Sequence, residues 1–259
     1  MFSENALRKG LRTRAFGNKI YTFESIDSTN SCAKAVAACG ALEGTIVVAE
    51  EQTAGRGRLG RVWKSNANEN LMFSIVLRPN IDPEAINLLP LYVAVALSEG
   101  IEHLTGKKAE CKWPNDLLIN KKKVCGILIE ASLRQNTVDH VVIGIGINVN
   151  QTRFDGQLQA KATSLKLEVG SDIDRNELFR EILTCLETEY LQITSHGIHT
   201  VLPHWLSRTS MINKMISVSQ QGSIFTGVVK GLSDDGGLVV QTSGVEKTLF
   251  SGDVTILGM

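Results

Sequence analysis

The sequence predicts an α+β protein: a mixed β-sheet backed by helices, followed by a small β-barrel. Three observations carry this. Apolar, β-branched runs of strand length occur at 45–49, 71–77 and 138–149. Strand candidates crowd between residues 109 and 149 with few helices among them, which favours a mixed or antiparallel sheet with helices on one side. From Met211 the texture changes to short β-rich runs separated by glycine-containing turns, the pattern of a small barrel. The division falls at 208, giving units 1–208 and 209–259.

The elements follow in order. Residues 1–19 are polar and basic and read as loosely held. Residues 19–25 alternate enough for a first strand. Asp27-Ser28-Thr29-Asn30 is a cluster of helix-capping residues before an alanine-rich helix at 32–39, and Gly40 sits where a helix-terminating glycine belongs. The runs at 45–49 and 71–77 are buried strands. Residues 85–104 have helical length and near-continuous apolarity, with Pro90 in the first turns, where proline is tolerated. Strands follow at 109–112, 117–119 and 124–131, the last two joined by a hairpin-like turn at 120–123. The run at 138–149 is the strongest strand. Asp174-x-x-Glu177 is a capping box opening a helix over 175–192. A short helix covers 199–207. Strands at 215–219, 224–230, 238–242, 246–250 and 254–257 complete the barrel.

Composition narrows the function. Lys+Arg and Asp+Glu both number 27, so the net charge is zero, against the basic excess of a general nucleic-acid binder. No apolar run reaches the roughly 20 residues that cross a bilayer, and no signal-peptide pattern opens the chain, so no membrane role is expected. The 5 cysteines lack C-x-x-C spacing and read as reduced thiols of a cytoplasmic protein rather than a disulfide frame or zinc site. No metal-ligating set is read from the sequence.

Four segments carry chemistry. In Glu51–Trp63, Gly55, Gly57 and Gly60 alternate with Arg56, Arg58 and Arg61. Glycine gives the backbone close approach to a ligand, and arginine supplies a permanent cation matched to phosphate or carboxylate oxygens. The same run read blandly is a solvated turn or a basic arm. Trp63 is either a cover for a flat base or a core residue. Lys112-Trp-Pro-Asn-Asp116 is a stiff turn presenting Asn115 and Asp116, or an ordinary Pro-Asn-Asp turn. In Lys121–Glu130, Lys123 abuts a buried run and can point inward as a fixed cation, while Gly126 admits close approach. In Gly144-Ile-Gly-Ile-Asn148, two glycines on one strand face clear it of side chains, with Asn148 following. Neither a dinucleotide fingerprint nor a P-loop is present.

Together, in this order and spacing, these motifs and Asp27–Asn30 resemble the bacterial biotin protein ligases (biotin–[acetyl-CoA-carboxylase] ligases). The likeness covers roughly residues 20–150, and more weakly the β-rich tail. It implies the class II synthetase-like fold with an SH3-like C-terminal barrel. It implies formation of biotinyl-5′-AMP from biotin and ATP with Mg²⁺, then transfer of biotin to a lysine of the biotin carboxyl carrier protein. Carried over by position, Ser28, Thr29, Asn30, Gln52, Gly55, Arg56, Arg58, Gly126 and Lys123 would hold biotin. Arg56, Arg58, Arg61, Trp63, Asn115 and Asn148 would line the nucleotide side. Arg58, Lys123 and Asp116 would be catalytic, Asp116 beside Lys123 where the acceptor amine arrives. The glycine-arginine loop is expected to be disordered when empty and to close over the adenylate.

The stretch before Ser28 is too short for the helix-turn-helix domain of repressor-type members, so the resemblance is to the monofunctional type, without DNA binding. Pairing of sheet edges into a homodimer stays open. The competing readings are a lipoate–protein ligase and a non-catalytic biotin- or nucleotide-binding regulator.

Overall fold

The run ending in Gly-Ile-Gly-Ile becomes the central strand of the larger sheet. The computed structural model describes residues 1–156, 158–220 and 222–257. Its first sheet contains β1 (Ile20–Ile26), β2 (Ile46–Gln52), β3 (Leu71–Leu77), β4 (Glu110–Lys112), β5 (Asp116–Ile119), β6 (Lys122–Arg134) and β7 (Thr137–Ile147). The spatial order is β1-β2-β3-β7-β6-β5-β4. Only β1 and β2 are parallel, because a helix, Thr29–Ala38, carries the chain between them. The β5–β6 hairpin turns through Asn120 and Lys121, both at positive φ, as a two-residue hairpin turn requires.

Alternation along the strands separates two faces. Leu71, Phe73, Ile75 and Leu77 of β3 and Ile143, Ile145 and Ile147 of β7 belong to the main core. Two long helices cover that face, Leu89–Thr105 and Arg175–His196. On the opposite face, Val76 and Val142 meet Ala33 and Ala37 of the Thr29–Ala38 helix. Small alanines let that helix lie close to the sheet without covering its far half. The polar floor described below lies on this second face.

The segment Pro83–Thr105 departs from expectation twice. It begins as a 3₁₀ turn, Pro83–Leu88, before becoming α-helical at Leu89. By length and composition it is also apolar enough to cross a membrane, but 67% of its most apolar window is buried inside the protein. Core packing consumes that surface.

The N-terminal segment is a correction. Residues 1–19 are docked rather than loose: a short helix, Glu4–Arg8, buries Leu7, and Phe2 and Phe16 enter the main core. The Arg175 guanidinium lies 4.3 Å from the Phe2 ring centroid and 2.6 Å from Glu50. Buried Glu187 accepts backbone N–H bonds from Arg14, Ala15 and Phe16 at 2.6–2.9 Å. Composition conceals this because the anchoring residues are few and their partners lie far along the chain. Two short helices, Leu158–Lys161 and Leu165–Val169, also escape the sequence pattern. The N-cap half of the capping box at Asp174 forms, its carboxylate accepting from the Asn176 and Glu177 amides.

The second sheet comprises β8 (Met215–Gln220), β9 (Ser223–Leu232), β10 (Leu238–Thr242), β11 (Val245–Leu249) and β12 (Asp253–Ile256), all antiparallel, in the order β11-β10-β9-β8-β12. It is the small SH3-like unit. Its β9–β10 turn is held to the first sheet by Trp113, whose indole N–H donates to the Gly236 carbonyl at 3.1 Å.

Because Glu187 satisfies three amides at once, Glu187→Ala is expected to lower unfolding stability by about 2–4 kcal/mol. Urea unfolding followed by circular dichroism measures this, and a loss below about 0.5 kcal/mol, the scale of an ordinary surface change, would contradict it.

Candidate active site

The floor of the site is a patch of backbone. Gly126 of β6 pairs with Gly146 of β7 in register, so two residues without side chains lie side by side. A Cβ on Gly146 would come within 2.5 Å of the Trp63 ring, and one on Gly126 within 2.9 Å of the same ring and 3.1 Å of Lys123 Nζ. Only glycine tolerates such proximity. Trp63 lies across the patch, with the Lys123 ammonium 5.6 Å from its ring centroid. Among the described residues its buried indole N–H has no acceptor. Gly144, the next residue on that face, makes room for Asn30.

Lys123 reaches this face because of a β-bulge. Three positions separate it from Gly126, which in a regular strand would put the two on opposite faces. The β5–β6 register instead passes from Leu117↔Cys125 to Leu118↔Lys123. The extra β6 residue restores Lys123 to the glycine side. There its ammonium meets Asp116 Oδ1 at 2.5 Å. Lys112, opposite Asp116 in the β4–β5 pairing, is also part of this cluster. Burial lowers the Lys112 pKa, while the nearby Asp116 charge acts to raise it.

The arginine segment is a small hairpin rather than a shapeless loop. The Trp63 amide donates to Gly55 O at 3.0 Å and the Gly57 amide to Arg61 O at 2.7 Å. Arg56 and Val62 form an antiparallel bridge. At the tip, Leu59 and Gly60 both adopt positive φ. A Cβ on Gly55 would meet Trp63 O at 2.6 Å, so this glycine is required by the closure of the hairpin itself.

Each cation of the hairpin has a different partner. Arg56 donates to Glu130 Oε2 at 3.0 Å, and Arg58 to Asn115 Oδ1 at 3.1 Å. Arg61 pairs with Asp253 of β12, tying the hairpin to the second sheet. Burial lowers the Arg58 pKa, with the charges of Asp116 and Asp253 opposing that shift. The Arg61–Asp253 pair is largely exposed, and such pairs contribute at most about 1 kcal/mol. Such a pair holds Arg61 only weakly.

A row of hydrogen bonds crosses the floor from Gln52 to Glu130. Gln52 Oε1 accepts from the Thr29 amide at 2.8 Å and from its hydroxyl at 3.1 Å. Buried Ser74 Oγ lies 2.8 Å from Thr29 Oγ1 and 2.6 Å from Asn30 Oδ1. Asn30 Nδ2 donates to Glu130 Oε2 at 2.9 Å, and Lys34 to Oε1 at 3.0 Å. Burial pushes the Glu130 pKa up, but the bonds from Asn30 and Lys34 and the Arg56 charge outweigh it and hold the carboxylate below its usual range.

Thus Thr29, Asn30, Gln52, Gly55, Arg56, Arg58, Trp63, Asn115, Asp116, Lys123 and Gly126 lie on or beside one surface. Ser28 is the buried N-cap of the Thr29–Ala38 helix and makes no side-chain cap bond. Arg61 is turned towards the second sheet. Asn148 is buried, and its Nδ2 donates to Thr163 O at 3.0 Å, fastening the residues before the Leu165–Val169 helix. A cavity of 180 Å³ adjoins this surface, lined by Arg58 and Asn115 together with Trp113, Ile127, Ile129 and Phe250.

Sequence reasoning missed Ser74, Glu130, Lys112 and Asp253 as members of this surface. Ser74 had a signal: it is the only polar residue in the run 71–77. Glu130 and Lys112 stood inside recognised motifs without a role. Nothing local marks Asp253, which comes from another sheet.

The chain matches known proteins over nearly its whole length. Residues 22–148 match the Biotin/lipoate A/B protein ligase family, and residues 211–257 the Biotin protein ligase C terminal domain. It is 38% identical to the Bifunctional ligase/repressor BirA of Bacillus subtilis, over 98% of this chain and 79% of that protein. It is 33% identical to the Biotin–[acetyl-CoA-carboxylase] ligase of Paracoccus denitrificans, over 83% of this chain and 91% of that protein. The biotin protein ligase from Aquifex aeolicus, solved in complex with biotin and ATP, superposes with a TM-score of 0.77 at 29% identity. That match covers 92% of this chain and 98% of the other. With the first family segment supplying the glycine floor and the second forming the small C-terminal sheet, the chain belongs to the biotin protein ligases of the biotin/lipoate A/B protein ligase family.

Proposed function

We propose that this chain is a cytoplasmic ligase that joins biotin to ATP as biotinyl-5′-AMP and passes the biotinyl group to a lysine of the biotin carboxyl carrier protein of acetyl-CoA carboxylase. The observation that carries this is the convergence of Arg56, Arg58 and Lys123 on a side-chain-free floor bordered by neutral hydrogen-bonding groups. A carboxylate and a triphosphate repel one another. Fixed cations offset that repulsion, and orientation removes most of the entropic barrier to their reaction.

In this reading Ser28, Thr29, Asn30, Gln52, Gly55 and Gly126 receive biotin, whose ring lies against the floor. Arg56 and Lys123 hold its carboxylate near the α-phosphorus. Arg58, Arg61, Trp63 and Asn115 line the nucleotide, with Asn148 contributing through its amide oxygen. The carboxylate oxygen attacks the α-phosphorus and pyrophosphate leaves. In the second step the acceptor amine attacks the acyl carbon, AMP leaves, and Asp116 orients the amine. The hairpin keeps water from the mixed anhydride.

Mg²⁺ favours phosphate oxygens together with one or two carboxylates. Asp116 and Asp253 are the carboxylates that border the hairpin, each resting against a cation, Lys123 and Arg61. This donor set fits an ion brought in on the triphosphate, where it would neutralise phosphate charge. The units 1–208 and 209–259 are proposed to divide the work, the second lending Asp253 as the resting partner of Arg61.

The direct test is to incubate the purified chain with biotin, ATP, Mg²⁺ and a carrier domain, and to weigh the carrier by mass spectrometry. One added biotinyl group per carrier is expected. Addition of lipoate but not biotin would favour the lipoate reading, and no pyrophosphate release would favour a non-catalytic binder. Lys123→Ala is expected to slow biotin-dependent pyrophosphate exchange by about 100-fold or more, as loss of a charge stabilising the transition state does; exchange at the wild-type rate would reject this role. Asp116→Asn is expected to leave adenylate synthesis within a few-fold of normal and to slow transfer by roughly 100-fold or more, the range for a positioned acid–base group. Single-turnover kinetics with preformed biotinyl-AMP separates the two steps.

A further inference from the structure

The two long helices behind the sheet carry a second cluster of reactive side chains, separate from the glycine floor. The Leu89–Thr105 and Arg175–His196 helices approach closely at Gly100, where a Cβ would lie 2.8 Å from Ile182 Cδ1 and 3.3 Å from Ile182 Cα. Beyond this crossing His103 extends from the first helix. Glu181 and Cys185, four residues apart, share one face of the second.

Three donor atoms converge there. His103 Nδ1 lies 3.0 Å from Glu181 Oε1, and Cys185 Sγ lies 3.9 Å from both of those atoms. Bonds of about 2.0 Å to nitrogen or oxygen and about 2.3 Å to sulfur, spread tetrahedrally, separate the donors by about 3.3–3.6 Å. The observed triangle differs from that by a few tenths of an ångström, within the reach of small rotations of two side chains. Cys185 is 7% exposed and forms the base of the cluster. His103 and Glu181 stand at the surface with side chains 61% and 36% exposed. A cation therefore has a buried soft donor beneath it and an open side towards water. The neighbouring cation, Arg208, is occupied by Glu99 and Glu102 at 3.2 and 2.9 Å.

We propose that His103, Glu181 and Cys185 form a site for a zinc-class divalent cation, with water as the fourth ligand. Thiolate and imidazole donors select such ions over Mg²⁺ or Ca²⁺. On binding, the metal–sulfur bond replaces the S–H bond of Cys185 and the proton leaves to solvent, with no change of oxidation state. The ion also replaces the His103–Glu181 hydrogen bond and clamps the two helices together. The sequence reading of the cysteines did not find this site because His103 is remote in the chain and only helix packing brings it to the other two donors.

Cobalt(II) is the probe. The full-length chain, stripped of metal by chelator and kept reduced, is titrated with Co²⁺. A thiolate-to-cobalt charge-transfer band and tetrahedral ligand-field bands, saturating at one ion per chain and bleached by Zn²⁺, are expected. Cys185→Ser should abolish the charge-transfer band, and His103→Ala should weaken binding at least tenfold while leaving the circular dichroism spectrum and the ligase activity measured with Mg²⁺ but without Zn²⁺ unchanged. Zn²⁺ should raise the melting temperature of the wild type and not of His103→Ala. If Cys185→Ser fails to fold, the exposed His103→Ala variant decides alone. Absence of the band in the folded wild type, its persistence in Cys185→Ser, or unaltered affinity in His103→Ala would each overturn the assignment.

Discussion

The in-register pairing of Gly126 with Gly146 is the constraint around which the rest of the site is arranged. Two adjacent strands that both lack a side chain at one level create a flat patch in an otherwise crowded sheet. Trp63 can lie on that patch only because nothing projects from it. Its indole in turn forms a wall for the Lys123 ammonium and ends the arginine hairpin. A methyl group at either glycine would collide with the ring, so one backbone feature governs the placement of an aromatic residue, a cation and a loop.

Electrostatics follow from that geometry. Arg56, Arg58, Arg61 and Lys123 are each held by a different partner: Glu130, Asn115, Asp253 and Asp116. Burying cations without partners would be prohibitive. The Arg61–Asp253 pair is exposed, and such pairs are weak enough to exchange for stronger, multiply charged anions. Glu130 is the exception, since Asn30, Lys34 and Arg56 all converge on it and keep it ionised. The site thus combines a fixed end at Glu130 with readily exchanged contacts at Arg61.

Support comes from both sides of the sheet. The odd positions of β3 and β7 fill a core shared with the two long helices, which fixes the sheet against bending. Of the even positions, Val76 and Val142 pack against the Thr29–Ala38 helix, while Ser74, Gly144 and Gly146 leave the rest of that face small or polar. The N-terminal segment adds to the same core through Phe2 and Phe16, fastened by Glu187. The second sheet reaches the site through the Trp113–Gly236 hydrogen bond and the Arg61–Asp253 pair, so the hairpin is tethered to both sheets.

Much of this was legible in the sequence. Apolar runs located the strands, because a buried strand has few alternatives for residues such as those of 71–77. The capping box marked the helix start at Asp174, because its bonds are local. The glycine-arginine, Lys-Trp-Pro-Asn-Asp and Gly-x-Gly-x-Asn segments named most of the surface. What depended on distant contacts was hidden. The bulge that turns Lys123 towards Gly126 is a property of strand pairing, and the docking of residues 1–19 depends on partners more than a hundred positions away. Asp253 and the His103–Glu181–Cys185 triangle likewise exist only after packing. Sequence by itself determined where the main apolar strands and helices lie, which residues are charged and where the backbone is free to turn, because those follow from each side chain and its neighbours. Tertiary structure alone decided which charges meet, because a contact between remote residues is set by sheet register and helix crossing.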